Sequence, residues 1–159
     1  MSIHQKFRGA APVGVLSELP PVELAAIVYF RMACASPETR DQLSQDFALA
    51  FGAVQGEFYE AMVAEFVHVL VHKSRRKIMR HEPNCKCFGG DESAIANIIA
   101  AAAAGDREEA QMLASNLVPC EVARQLVQPA EDIGLALHLM LERFPNPVFS
   151  KPLYPPTKH

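Results

Sequence analysis

Long hydrophobic runs are missing from this sequence. A run such as residues 98–104 is mostly alanine and stops at Gly105, far short of the roughly 18 apolar residues that a membrane-spanning helix needs. Residues 1–8 are basic, but glycine and proline interrupt the segment that follows, so no secretory signal is indicated. These absences predict a soluble, cytoplasmic protein whose cysteines are free thiols, metal ligands or redox groups rather than structural disulfides.

An excess of positive charge is also missing. The chain has 15 lysines and arginines against 18 aspartates and glutamates, a formal net charge of −3. This balance argues against a protein that binds nucleic acid over most of its surface, although a local basic patch remains compatible with it. Hydrophobic residues make up 50% of the chain and charged residues 21%, which is typical of a globular domain.

Segments with the two-residue alternation of a strand are lacking, and apolar residues recur at helical spacing instead. The longest such pattern, from about Val54 to Lys73, is apolar on more than one side, as in the central helix of a bundle. The sequence therefore predicts an all-α, single-domain bundle of about six to seven helices over residues 1–144, with an extended N-terminal arm at residues 1 to about 18. Pro129 is expected to divide the last two helices.

The last fifteen residues, 145–159, contain five prolines. Proline at this density favours an extended, polyproline-like chain without regular secondary structure. We therefore expect a proline-rich tail outside the helical domain.

The segment richest in chemically active side chains is His81-Glu-Pro-Asn-Cys85-Lys-Cys87, a predicted loop followed by two glycines. Two thiolates and an imidazole within seven residues form a ligand set that favours zinc, with iron or copper(I) as weaker candidates. A closed zinc site needs a fourth ligand, and His72, near the end of the long helical pattern, is the first choice. The other candidates are His68, Cys120, Asp91 and Glu92.

Two other interpretations of this segment remain open. Cys85 and Cys87 are either ordinary loop thiols or a redox pair that forms a small, strained and easily reduced disulfide ring. A second arrangement lies on the long helical pattern, where Glu65, His68 and His72 share one face. Glu65-x-x-His68 matches half of a di-iron bundle motif, but the chain has no second copy.

A basic cluster adjoins the predicted loop, with five positive charges in eight residues: Lys73, Arg75, Arg76, Lys77 and Arg80. It suits phosphates, an acidic partner or simply a solvated helix end. No aromatic residue is interleaved with these charges, so binding of a single strand by base stacking is not supported.

Three functions follow from these features. The first is a non-enzymatic, zinc-stabilised helical protein with a structural or regulatory role, acting through a protein partner or a second copy of itself. The second is a hydrolase-like metalloenzyme with a water at an open metal position and an acid such as Glu82 as the base. The third is a nucleic-acid-binding regulator that uses the basic cluster.

Overall fold

The computed structural model describes residues 8–144. These residues form an all-α bundle, as the sequence predicts, and the expected tail lies outside the described residues. The six helices of this part of the chain are α1 (Pro21–Ala35), α2 (Pro37–Phe51), α3 (Ala53–Lys73), α4 (Gly90–Ala103), α5 (Arg107–Ala114) and α6 (Cys120–Arg143).

Helix starts were well specified by local sequence. Ser36 caps α2: its hydroxyl accepts from the Thr39 amide, while the Thr39 hydroxyl accepts from the Ser36 amide. Asp106 caps α5 by accepting from the Glu109 amide. Such side chains satisfy amide groups that have no partner inside the helix. Helix α4 begins at Gly90 and holds Asp91 and Glu92 in its first turn.

A small antiparallel sheet was not anticipated. Strand β1 (Pro12–Val15), in the N-terminal arm, pairs with β2 (Cys87–Gly89), in the segment expected to be a loop. Strands of four and three residues are too short to show an alternating pattern, and their pairing joins positions about 75 residues apart in sequence. The sheet therefore fixes the arm against the cysteine-containing segment.

The expected division of the last helix at Pro129 was wrong. Helix α6 continues through Pro129, which is buried inside it. Proline removes one helical hydrogen bond, but Leu126, Ile133 and Leu137 bury their side chains in the core on both sides of it. Burial of this apolar face outweighs the local preference of proline for ending a helix.

The main core lies between α1, α3, α4 and α6, and α2 packs against α1 and α3. A smaller cluster of Ile27, Phe88 and Ala96 joins β2 to α1 and α4. The cysteine-containing segment thus packs against α1 and α4 through this cluster. None of the helices within residues 8–144 is long and apolar enough to cross a membrane.

Candidate functional site

A buried arginine organises the segment that carries the cysteines. Arg31 lies on α1, and its side chain has no exposed surface. Its Nε and Nη2 atoms donate to the two carboxylate oxygens of Glu92 at 2.5 and 3.0 Å. The charge on Glu92, which is also fully buried, compensates the guanidinium charge in a place that water does not reach.

The remaining Arg31 donors contact the backbone of the cysteine segment. Nη1 donates to the carbonyls of Glu82 at 3.3 Å and Cys85 at 2.7 Å, and Nη2 donates to the Cys87 carbonyl at 2.7 Å. With the two bonds to Glu92, all five guanidinium N–H groups have acceptors. Arg31 therefore fixes the path of residues 82–87 from inside the bundle.

The two acids at the start of α4 are engaged by the protein itself. Glu92 also accepts from the Gly89 amide at 3.1 Å. Asp91 accepts from both terminal nitrogens of Arg76, at 2.8 and 2.6 Å, and from the Met79 amide at 2.8 Å. These two carboxylates, considered above as metal ligands, thus hold the segment in place through internal contacts.

His81 and Cys85 are in direct contact within this segment. The Nδ1 atom of His81 lies 3.4 Å from the Cys85 sulfur, and its Nε2 atom lies 2.7 Å from the Ala10 carbonyl oxygen. A carbonyl only accepts, so Nε2 carries a proton, and in the neutral ring Nδ1 is left as the acceptor. The arm thereby selects the tautomer that takes a proton from the Cys85 thiol.

This geometry shifts both pKa values toward the ion pair. The hydrogen bond with His81 lowers the pKa of the Cys85 thiol; burial opposes the shift, and the Cys87 amide and the Arg31 charge support it. Burial acts to lower the pKa of His81, but the bonds to Cys85 and to the Ala10 carbonyl outweigh it and raise the pKa. Both shifts are in the direction that stabilises a thiolate beside an imidazolium.

The other cysteines lie in different surroundings, and all four are free thiols. Cys87 is half-buried in β2, opposite Val15. Burial raises the pKa of Cys34, and the nearby Arg80 and Arg40 charges only partly oppose this. Cys120 is exposed at the start of α6.

The predicted metal ligands are only partly brought together. His81 and Cys85 are in contact, whereas His72 lies on α3 against His68, with 4.4 Å between the ring centroids. Within residues 8–144, no group of three or more His, Cys, Asp or Glu side chains is arranged to hold a metal ion. The ligand set His72, His81, Cys85 and Cys87 stays a prediction.

Much of the basic cluster makes internal contacts. Arg76 pairs with the buried carboxylate of Asp91. The other contacts are Lys73 with the Gln125 side chain, Arg75 with the Ser115 carbonyl and Arg80 with the Cys34 carbonyl. These bonds connect the chain between α3 and α4 to the helices around it, which gives the cluster a structural role whether or not it also binds anions.

Sequence reasoning missed Arg31 and Ala10. Arg31 is the only charge between Leu24 and Pro37, and a single arginine within an apolar helix is a signal that a buried partner exists. Ala10 contributes only its backbone carbonyl, for which no side-chain pattern could give a signal.

No protein-family model, curated protein or solved structure matches this chain.

Proposed function

We propose that Cys85 is a nucleophilic thiol activated by His81 and that the protein is a non-enzymatic, thiol-based regulator. The contact between His81 and Cys85 carries this proposal, because the bond from His81 to the Ala10 carbonyl leaves Nδ1 facing the sulfur as a proton acceptor. A thiolate, not a thiol, is the species that attacks peroxides and disulfides. The expected cytoplasmic location suits this role, because thiols are kept reduced there.

The chemistry is a two-step oxidation by a peroxide. The Cys85 thiolate attacks one peroxide oxygen, the O–O bond breaks, and Cys85 becomes a sulfenic acid while the other oxygen leaves as hydroxide or alkoxide. The Cys87 thiol then attacks the Cys85 sulfur, forming a disulfide and releasing water. Cys87 suits the second step because it lies two residues away and its amide already contacts the Cys85 sulfur.

Oxidation would be transmitted to the fold through Arg31. The carbonyls of both Cys85 and Cys87 accept from its guanidinium, so closing a small disulfide ring between these residues changes the backbone angles that aim those carbonyls. Buried charged donors that lose acceptors are costly. We therefore expect the oxidised protein to unfold more easily than the reduced one, which would give a partner two distinguishable states.

The test is the rate at which each cysteine reacts with iodoacetamide, followed by peptide mass spectrometry. At pH 7, Cys85 is expected to react faster than Cys34, Cys87 and Cys120. Changing His81→Gln should slow Cys85 about three- to tenfold, because the thiolate fraction falls as the pKa rises while intrinsic nucleophilicity partly compensates. As the pH rises above the ordinary thiol pKa, the Cys85 rates of the native protein and of His81→Gln should converge, because Cys85 is then ionised in both proteins.

His138→Gln is the matched control, since that histidine lies on α6 and pairs with Glu142 on its own helix. It should leave the Cys85 rate unchanged. A Cys85 rate at pH 7 that His81→Gln does not alter would reject the proposed activation. The second step is tested separately: peroxide should yield a Cys85–Cys87 disulfide in the native chain and a persistent sulfenic acid in Cys87→Ser.

Metal binding is the second candidate function, and one distance favours it. Nitrogen and sulfur ligands at the usual bond lengths around a tetrahedral zinc lie about 3.5 Å apart, and the His81 nitrogen and Cys85 sulfur are 3.4 Å apart. These two side chains fit two corners of such a site. Cys87 and His72 are the predicted additional ligands and would have to move toward them.

Elemental analysis of the untagged, reduced protein distinguishes the two candidates. The metal candidate expects about one zinc per chain, held tightly because ligand binding contributes to folding free energy, and its loss in Cys85→Ser and Cys87→Ser. A His72→Gln variant tests the fourth ligand, with His138→Gln as its control. A native protein that holds no near-stoichiometric metal and gives no thiolate-to-cobalt absorption on titration with Co²⁺ would reject this candidate.

A further inference from the structure

A second feature of the molecule is a cleft between α1, α2 and α3, with a volume of about 320 Å³. Leu43 and Val63 are buried beneath it, and the half-buried Val67 and the exposed Val71 continue the apolar lining along α3. This size lies at the lower end of the range for small-molecule sites, which are mostly apolar with a few polar groups. The cleft is therefore large enough for one small ligand.

The cleft carries basic side chains toward one end. Phe47 and Gly56 face each other, since a Cβ on Gly56 would lie 2.8 Å from the Phe47 carbonyl oxygen. The short connection at Gly52 makes α2 and α3 antiparallel, so Arg40 lies level with about residue 63. The exposed rings of His68 and His72 lie together on α3 at that end.

The acidic group of the cleft lies nearer the start of α3 than the histidines do. Glu60 is three helical turns before His72, which corresponds to about 18 Å along the axis. Leu43, on α2, lies level with Glu60 by the same antiparallel pairing. The lining thus has an acid at one end and two histidines toward the other, with Arg40 and apolar side chains between them.

The Arg40 guanidinium has no side-chain partner within the part of the chain that the structure describes. No hydrogen bond or ion pair of its side chain occurs with any residue from 8 to 144, in contrast to Arg31, Arg76 and Arg80. An unpaired guanidinium beside an apolar cleft is suited to a carboxylate, which it can bind through two parallel hydrogen bonds.

We propose that this cleft binds a small carboxylic acid with an apolar chain, the carboxylate on Arg40 and the chain along Val63 and Val67. A cationic ligand is disfavoured by Arg40, and a neutral one gains no ion pair with the guanidinium. A chain of eight carbons is shorter than the about 18 Å that separate Glu60 from His72 along α3, so it fits within the cleft. This site is separate from the thiol site and does not depend on its chemistry.

The test uses octanoate as the probe and 1-octanol as the neutral probe of equal length, each titrated into the ¹⁵N-labelled protein. Octanoate should shift amide signals of α2 and α3 around Arg40, Val63 and Val67, and octanol should bind more weakly. Arg40→Gln should weaken octanoate about fivefold, a modest effect because the guanidinium is exposed to solvent. Ala64 is an exposed residue of the cleft lining. Ala64→Phe fills part of the cleft with a ring and should abolish the shifts.

The matched controls are Arg124→Gln, which removes an exposed arginine from α6, and Ala61→Phe, which adds a ring on α3 outside the lining of this cleft. Both should bind octanoate like the native protein. The proposal would be overturned by equal affinity for octanol and octanoate, or by equal weakening in Arg40→Gln and Arg124→Gln. It would also be overturned if the shifts centred on other helices, or if millimolar octanoate gave no saturable shift.

Discussion

Glu92→Gln is expected to lower the free energy of unfolding by about 3–5 kcal/mol, the usual cost of removing one partner from a buried ion pair. The amide keeps the shape of the carboxylate but loses its charge, and its NH₂ group would face an Arg31 N–H. Both side chains are fully buried, so water cannot replace the lost acceptor. Denaturant unfolding followed by circular dichroism measures the change, provided that the slope m stays constant.

Glu57→Gln is the control for this prediction, because Glu57 is exposed on α3. A surface change of that kind is expected to stay within about 0.5 kcal/mol. Arg31→Met tests whether the arginine holds the cysteine segment. In this variant we expect a lower free energy of unfolding, and we also expect Cys85 to react with iodoacetamide no faster than the other cysteines. If the Glu92→Gln variant had the same unfolding midpoint in denaturant as the native protein, the ion pair would not be what holds the segment.

Gly89→Ala is expected to destabilise the protein by about 1–3 kcal/mol, as overpacking of a tight site does. An added Cβ would lie 2.5 Å from the Gly9 carbonyl oxygen and 3.2 Å from the Ala10 Cα. Both are backbone atoms of the arm, which cannot move aside by a simple side-chain rotation. The arm would therefore shift, and the Ala10 carbonyl with it.

That shift gives the variant a second expected effect, on the thiol. Without the Ala10 carbonyl in place, the tautomer of His81 is no longer fixed, and the reaction of Cys85 with iodoacetamide at pH 7 should slow toward the His81→Gln rate. Ala61→Ser, which adds one atom at an exposed position, should change neither property. Loss of stability with an unchanged Cys85 rate would separate the arm from the thiol and contradict the role given to Ala10.

These variants test the two contacts that hold the Cys85 thiol and its proton acceptor in place. Arg31 holds the cysteine segment from inside the bundle, and the arm holds His81 from outside. A reactive thiol needs both, because its proton acceptor has to be correctly oriented and the sulfur has to be held within reach of it. If either support is removed, the thiol should behave like an ordinary exposed cysteine.

Local sequence determined the helical framework. Ser36 and Asp106 start helices by capping, and the long apolar pattern ending at Lys73 marks the central helix; these signals depend on residues within four positions of one another. The same kind of information predicted a metal or thiol site at His81, Cys85 and Cys87, because the residue types and their spacing are visible without a fold.

Tertiary structure alone decided what that segment can do. The Arg31 contacts join positions 51 to 61 residues apart, and the Ala10–His81 contact joins positions 71 apart. No local pattern encodes such pairings, because they form only when burial of apolar helix faces brings α1, α4 and the arm together. The same burial carried α6 through Pro129 and placed a ring nitrogen of His81 3.4 Å from the Cys85 sulfur.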